Sequence, residues 1–161
     1  MGAWNAFFSG QLTAAAAFAG LLFVSLSVNQ KRILEIERLA DRGLEALVML
    51  LLVILAASAA LVPGQPLRLV GGEIGAAGLI VIFQMLRLQQ LYMPATEETY
   101  RRRASRLMWV NRLAVGAIAA AGVLLLVTGD LRSLYLAPVG MLLSFVGAGM
   151  SAWVLLIEIN R

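Results

Sequence analysis

Residues Trp4–Arg32 read WNAFFSGQLTAAAAFAGLLFVSLSVNQKR, and the first charged side chain among them is Lys31. This leaves roughly 25 uncharged residues, and an α-helix needs about 20 to cross the hydrocarbon core of a bilayer. The apolar run is too long for the core of a secretory signal and has no basic stretch before it. We therefore expect a membrane helix of the mature protein, which ends at the basic pair Lys31 and Arg32.

The composition predicts lipid as the solvent for most of the chain. Of the 161 residues, 61% are hydrophobic and 14% are charged, whereas soluble domains have about 45–50% apolar and about 25% charged residues. The absence of cysteine and histidine excludes disulfides, thiol chemistry and the usual zinc sites. We expect no cofactor and no bound metal. The net charge of +4 comes from basic residues at helix ends, which indicates lipid headgroups rather than nucleic acid.

Four further apolar segments follow, separated by turns that contain proline or glycine. Pro63 and Pro66 interrupt the chain after the second segment, and Pro94 ends the third. We therefore predict an all-α membrane bundle with five transmembrane helices in a single domain, residues 1–161. The predicted helices are Trp4–Val28, Leu44–Val62, Leu69–Tyr92, Leu107–Val127 and Leu134–Ile157.

The segment Asn29–Arg42 has a helical charge pattern. Four of its charged residues recur at spacings of 4, 3 and 4, which places them on one face. We predict an amphipathic helix at the membrane interface or an extension of the first helix, with Gly43 as a break before the second crossing. The four are Lys31, Glu35, Arg38 and Arg42.

The basic residues also predict the orientation. Eleven of the 13 lysines and arginines fall on one side of the predicted membrane, and only Arg68 and Arg132 fall on the other. Basic residues are enriched in cytoplasmic loops, so we expect the N-terminus outside and the C-terminus in the cytoplasm. The eleven are Lys31, Arg32, Arg38, Arg42, Arg87, Arg101, Arg102, Arg103, Arg106, Arg112 and Arg161.

Three predicted helices carry faces of small residues. Such faces allow close approach of helix backbones in lipid, where packing drives association. They predict either packing within one copy or an interface between subunits. The fifth helix has Gly140, Ser144, Gly147 and Ser151, the third has Gly71 and Gly75, and the first has Ala6, Gly10 and Ala14.

Polar residues at membrane depth are the candidates for function. Glu73 lies about 9 Å into the third helix, at 1.5 Å per residue, and Gln11 lies at a similar depth in the first. Glu73 could reach the headgroups, form a hydrogen-bonded interior group with Gln11 or Arg68, or bind protons or cations.

Two polar stripes predict either a narrow pathway or buried helix contacts. Each has polar ends and an apolar middle, which suits a pathway with a hydrophobic gate, although serine, asparagine and glutamine also hydrogen bond between packed helices. The first helix contributes Gln11, Ser25 and Asn29, and the third contributes Glu73, Gln84 and Arg87. At the inner boundary, Glu45, Arg87, Arg112 and Glu158 predict a layer of ion pairs.

Catalysis is not expected from this set of residues. The segment Gly147–Ser151 is superficially similar to an intramembrane serine protease motif, but without histidine the usual dyad cannot form. The chain also lacks a pair of intramembrane aspartates and a glycine-rich phosphate loop.

Four segments of the sequence carry a resemblance to known proteins: Leu22–Leu34 (LFVSLSVNQKRIL), Leu44–Leu47 (LEAL), Val62–Gln65 (VPGQ) and Ala152–Ile159 (AWVLLIEI). They resemble segments of small bacterial membrane proteins, some of which are labelled modulators of a membrane-bound AAA protease. The resemblance implies a multi-pass protein of the bacterial plasma membrane and transfers no site residue. Two functions stay open at this point: a small homo-oligomeric ion channel or carrier-like protein, and an accessory or regulatory subunit of a larger membrane complex such as a membrane protease.

Overall fold

The protein is helical throughout the part of the chain that the structure describes. The computed structural model describes residues 2–35, 39–94 and 98–159. These ranges contain six α-helices and one short 3-10 helix, Leu131–Tyr135, and no strand. The α-helices are α1 (Gly2–Val28), α2 (Gln30–Glu35), α3 (Leu39–Leu61), α4 (Leu67–Tyr92), α5 (Glu98–Thr128) and α6 (Leu136–Ile159).

Five helices in the described ranges are long and apolar enough to cross a membrane. They are α1, α3, α4, α5 and the segment Leu131–Trp153, which includes most of α6. Successive crossings run in opposite directions because the loops between them are short. The structure thus confirms the all-helical prediction and the presence of five helices that are long and apolar enough for a multi-pass membrane protein.

The ends of several helices differ from the prediction. α3 begins at Leu39 and continues through Gly43, which is buried, so the predicted break at Gly43 is wrong. A glycine inside a helix is tolerated at a cost of about 1 kcal/mol relative to alanine, so Gly43 need not end the helix. α5 begins at Glu98 rather than Leu107, so the polar segment before the fourth crossing is mostly helical.

The predicted amphipathic helix Asn29–Arg42 is not a single element in the described residues. The Nδ2 of Asn29 donates a 2.9 Å hydrogen bond to the carbonyl of Ser25, and α1 ends at Val28. A short helix, α2, follows, and Arg42 already belongs to α3. Residues 36–38, which include the predicted charged residue Arg38, lie outside the described ranges.

α3 is the central helix of the bundle. It packs against α1, α4 and α6, while α5 packs against α4 and α6. Half of the residues in the most apolar stretch of α3 are buried, compared with 11% of the residues in the corresponding stretch of α1. α1 is therefore a peripheral helix, with α3 as its main neighbour.

The closest contact between helices joins α4 to α5 through small residues. A Cβ added at Gly78 would lie 2.7 Å from the Cα of Ala119, and one added at Gly71 would lie 2.8 Å from the carbonyl oxygen of Gly122. The two backbones approach this closely only because both sides lack bulky side chains.

Aromatic rings cluster at the end of the bundle where α1 begins. Trp4 lies edge-on to Tyr135, with 5.0 Å between the ring centroids, and also contacts Phe8, which is fully buried. Tryptophan and tyrosine favour the boundary between the hydrocarbon and the headgroups. The nearby turns use Gly64 and Gly129, whose φ angles of 72° and 67° lie in the left-handed region that favours glycine.

A buried polar cluster as candidate functional site

Three helices contribute a polar side chain to one buried cluster. Glu45 on α3 is 3% exposed, and Gln89 on α4 and Asn111 on α5 are each 1% exposed. Glu45 lies near the start of α3, Gln89 lies near the end of α4, and Asn111 lies in the first half of α5. The antiparallel order of these crossings brings the three residues to the same end of the bundle, opposite the aromatic cluster.

The carboxylate of Glu45 accepts a hydrogen bond from each of the two amides. Gln89 Nε2 donates to Glu45 Oε1 at 2.8 Å, and Asn111 Nδ2 donates to the same oxygen at 3.0 Å. Bonds to a charged acceptor are stronger than bonds between neutral groups. The two amides therefore replace part of the hydration that the carboxylate loses when it is buried.

The cluster extends from Gln89 to a guanidinium. Arg112 Nε donates a 2.8 Å hydrogen bond to Gln89 Oε1, while the other side of the Gln89 amide donates to Glu45. The amide dipole thus lies between a carboxylate and a cation in the orientation that both favour. Arg112 is half-buried, and its guanidinium carbon lies 5.2 Å from the centroid of the Trp109 ring.

A fourth helix, α6, meets the cluster at Gly147. The Oδ1 of Asn111 is buried and has no hydrogen-bond partner in the described part of the chain. A Cβ added at Gly147 would collide with this oxygen and would lie 3.2 Å from the Cε of Met49. The Asn111 amide turns its NH₂ toward Glu45 on α3 and its oxygen toward Gly147 on α6.

The cluster lies toward one end of the candidate membrane spans. Asn111 follows the first residue of the α5 span, Ala104, by about 10 Å at 1.5 Å per residue, and Gln89 precedes the last residue of the α4 span, Leu91, by about 3 Å. Intramembrane ionisable residues are costly and usually face partners inside the protein. The described residues include no group of three or more histidine, cysteine, aspartate or glutamate side chains that could hold a metal ion.

Part of this cluster corresponds to the predicted ion-pair layer. Glu45 and Arg112 do lie at one end of the bundle, and Gln89 bridges them. Arg87 lies elsewhere: it is exposed on α4, with its guanidinium carbon 4.5 Å from the centroid of the Phe83 ring. The side chain of Glu158 lies outside the described residues.

The structure does not bring the two predicted polar stripes together within one copy. On α1, Gln11 is half-buried, with its Oε1 buried and without a partner among the described residues. On α4, Glu73 and Gln84 are exposed. In the described ranges α1 packs mainly on α3, whereas α4 packs on α5 and α3. The other members of the two stripes lie on these helices or directly after them: Ser25 is on α1, Asn29 follows the last residue of α1, and Arg87 is on α4.

The predicted small-residue face of α6 is buried within the chain. Ser144 is fully buried and donates a 2.9 Å hydrogen bond to the carbonyl of Gly140, and Ser151 is 6% exposed. A Cβ added at Gly140 would lie 2.6 Å from the carbonyl oxygen of Ala114 on α5. By contrast, the Ala6, Gly10 and Ala14 face of α1 is exposed.

Sequence reasoning missed Gln89 and Asn111. Asn111 is a polar residue in the apolar run LMWVNRLAVG, and such a residue at membrane depth is itself a signal. Gln89 lies next to Gln90 near a helix end, where glutamine also suits the headgroup region. Only the packing of α3, α4 and α5 identifies which of the two glutamines faces inward.

No protein-family model, no curated protein and no solved structure matches this chain.

Proposed function

We propose that this protein is a non-enzymatic accessory or regulatory subunit that binds a larger membrane complex through α1. A membrane-bound protease is one such complex, in line with the sequence resemblance of four short segments. In this proposal the protein lies in a bacterial plasma membrane, with its N-terminus outside and its C-terminus in the cytoplasm. The eleven-to-two division of basic residues supports that orientation.

The observation that carries the proposal is the open small-residue face of α1. Five small side chains recur at spacings of 4, 3, 4 and 3, and each is exposed. A Cβ added at Gly10 or Gly20 would have no atom within 4 Å. A face of this kind fits a transmembrane helix of another protein at close range. The five residues are Ala6, Gly10, Thr13, Ala17 and Gly20.

The small-residue face of α1 is exposed, unlike the small-residue faces of α4 and α6. Those of α4 and α6 are covered by α5 within the same copy, as Gly71 and Gly140 illustrate. On α1, the Thr13 hydroxyl donates to the carbonyl of Ser9 at 2.9 Å, so the polar atom is satisfied by its own helix. Because the Thr13 hydroxyl is already hydrogen bonded, a partner helix can pack on this face without leaving that hydroxyl unpaired.

The interior favours a binding role over conduction through a single copy. The buried polar side chains described are Glu45, Gln89, Asn111, Ser144 and Ser151, and none of them lies near the aromatic end of the bundle. At that end the fully buried side chains that the structure describes are apolar, and Gln11 and Gln65 are half-buried. The fully buried side chains include Phe8, Val70, Ile74, Leu125 and Leu134.

The test compares two leucine substitutions on α1. The tagged full-length chain is extracted from its native membrane with a solubilising copolymer, and stoichiometric partners are identified by mass spectrometry. Gly10→Leu fills the open face and should reduce partner recovery at least fivefold. Ala16→Leu adds a similar bulk about 120° around the helix, at an exposed position, and should leave recovery unchanged. Equal recovery with both variants, or no stoichiometric partner with the parent chain, contradicts the proposal.

The second candidate is a homo-oligomeric ion channel or carrier-like protein with its pathway between copies. The exposed polar residues Glu73 and Gln84 on α4 support it, since a single copy leaves them uncovered. Ion flux into liposomes that contain only the purified protein would favour this candidate over the accessory role.

A further inference from the structure

The outward face of α4 combines polar and apolar side chains in a regular stripe. Ile80 is 59% exposed and Leu91 is 48% exposed, and the polar residues between and beside them are exposed as well. With the half-buried Ala77, the stripe has alternating spacings of 4 and 3 residues. This is the spacing of two parallel helices that cross at a small left-handed angle. We name these residues the α4 stripe: Glu73, Ala77, Ile80, Gln84, Arg87 and Leu91.

Gln84 is the member of the α4 stripe whose amide finds no hydrogen-bond partner among lipid tails. It lies about 7 Å from the middle of α4, at 1.5 Å per residue, well within a hydrocarbon core about 30 Å thick. Its amide makes no hydrogen bond to any residue that the structure describes. An unpaired amide in hydrocarbon is costly, because lipid tails offer neither donors nor acceptors.

We propose that the α4 stripe binds the α4 stripe of a second copy of this chain, with the two Gln84 amides hydrogen bonded to each other. Each amide has both a donor and an acceptor, so Gln84 is its own complement. Two copies inserted in the same direction place their Gln84 residues at the same depth. A twofold axis along the membrane normal then brings identical residues face to face.

A parallel pair brings like charges of the α4 stripe together, and the arrangement tolerates them because they lie nearer the two membrane boundaries, where water and ions screen their repulsion. Glu73 lies about 10 Å from the middle of α4 on the outer side, where the cost of a charge falls. Arg87 lies on the opposite side, and its guanidinium is held over the Phe83 ring of its own helix. The central contacts between copies come from Ile80 and Gln84, and Ala77 leaves room for close approach.

The experiment uses disulfide cross-linking, because the chain contains no cysteine. Ile80→Cys and Leu142→Cys are made singly in the full-length chain and oxidised in native membranes. Leu142 is the matched control, since it is 55% exposed on α6, which packs mainly against α3 and α5 rather than against α4. Ile80→Cys should form a covalent dimer of this chain, and Leu142→Cys should not.

The amide is tested in the same background. Gln84→Leu should weaken dimerisation about three- to tenfold, which corresponds to one hydrogen bond between membrane helices. Gln84→Asn keeps an amide and should retain most of the dimer. Because Gln84 is exposed, both variants should unfold in detergent at the temperature of the parent chain, which separates a loss of pairing from a loss of fold.

Three outcomes would overturn the inference. Equal cross-linking at positions 80 and 142 would indicate random collision, with lipid covering the stripe. An unchanged dimer fraction in Gln84→Leu would remove the amide from the interface. A cross-link from position 80 to a different protein would assign the stripe to that protein. The inference does not depend on the proposed binding role of α1, because the α1 variants leave the α4 stripe intact.

Discussion

Gln89 on α4 joins two charged residues of opposite sign, with its Nε2 2.8 Å from Glu45 Oε1 and its Oε1 2.8 Å from Arg112 Nε. The two charges therefore interact through an oriented amide as well as through space. This arrangement connects α3, α4 and α5 through the buried side chains of Glu45 and Gln89 and the half-buried side chain of Arg112. It adds directional hydrogen bonds to the apolar contacts between the three helices.

Removal of the Gln89 amide should destabilise the bundle. Gln89→Leu deprives Glu45 of one donor and leaves Arg112 Nε without its acceptor, so the free energy of unfolding should fall by about 1–3 kcal/mol. Gln90→Leu is the matched control, since Gln90 is exposed on the same helix. Unfolding in mild detergent, followed by circular dichroism, measures both variants. Equal effects of the two substitutions would show that the cluster contributes nothing specific.

Gly147 should tolerate no methyl group. In Gly147→Ala the Cβ collides with Asn111 Oδ1 and presses on Met49, so we expect a loss of about 1–3 kcal/mol through overpacking. Gly149→Ala is the control, because its Cβ would have only ordinary contact with the Phe18 ring, at 3.7 Å.

A double-mutant cycle identifies the cause of the Gly147 effect. Asn111→Ala removes the oxygen that the new Cβ meets, so Gly147→Ala should cost less in that background than in the parent chain. Additive losses in the free energy of unfolding would mean that the collision with Asn111 is not responsible.

The contact between α4 and α5 should depend on Gly122. A Cβ there would collide with the backbone of Gly75, and neither backbone can move without separating the helices. Gly122→Ala should therefore lower the unfolding temperature in detergent, whereas Gly116→Ala on the same helix should not, because its Cβ meets no atom within 4 Å. A stable Gly122→Ala variant would contradict this close approach.

Topology can be tested with single cysteines and a membrane-impermeant thiol reagent. Cysteines in place of Gly2, Gly64 and Gly129 should react in intact cells, and those in place of Ala95 and Asn160 should react only after the membrane is permeabilised. The expectation follows from the excess of basic residues on the predicted inner side. Labelling at Ala95 in intact cells would reverse the orientation.

The number of crossings was predictable from the sequence, whereas the site was not. Hydropathy is a local property, so five apolar segments and their turns identify five helices without any knowledge of their packing. Gly43 was misassigned because a buried glycine and a helix-ending glycine look alike in one sequence. The partners of Glu45 depend on which faces of α4 and α5 turn inward, and that is decided by backbone contacts such as Gly75 with Gly122.

The predicted face of α4 illustrates the same limit. The spacing of Glu73, Ile80, Gln84 and Arg87 correctly places these residues on one side of a helix, and the structure shows each of them exposed. Periodicity cannot tell whether such a side faces the bundle or the outside. Within one copy α1 does not cover that side, since it packs mainly on α3.

Glu73 provides the sharpest distinction between the two proposed functions. It is exposed on α4, and it makes no hydrogen bond or ion pair with the described residues. Glu73→Gln keeps the shape and removes the charge, so the unfolding temperature in detergent should stay unchanged. In the accessory role, liposomes with either protein should show no proton or cation flux above that of protein-free liposomes. A flux through the parent protein that Glu73→Gln abolishes, at equal stability and equal protein content, would contradict that expectation and assign the pathway to the exposed face of α4.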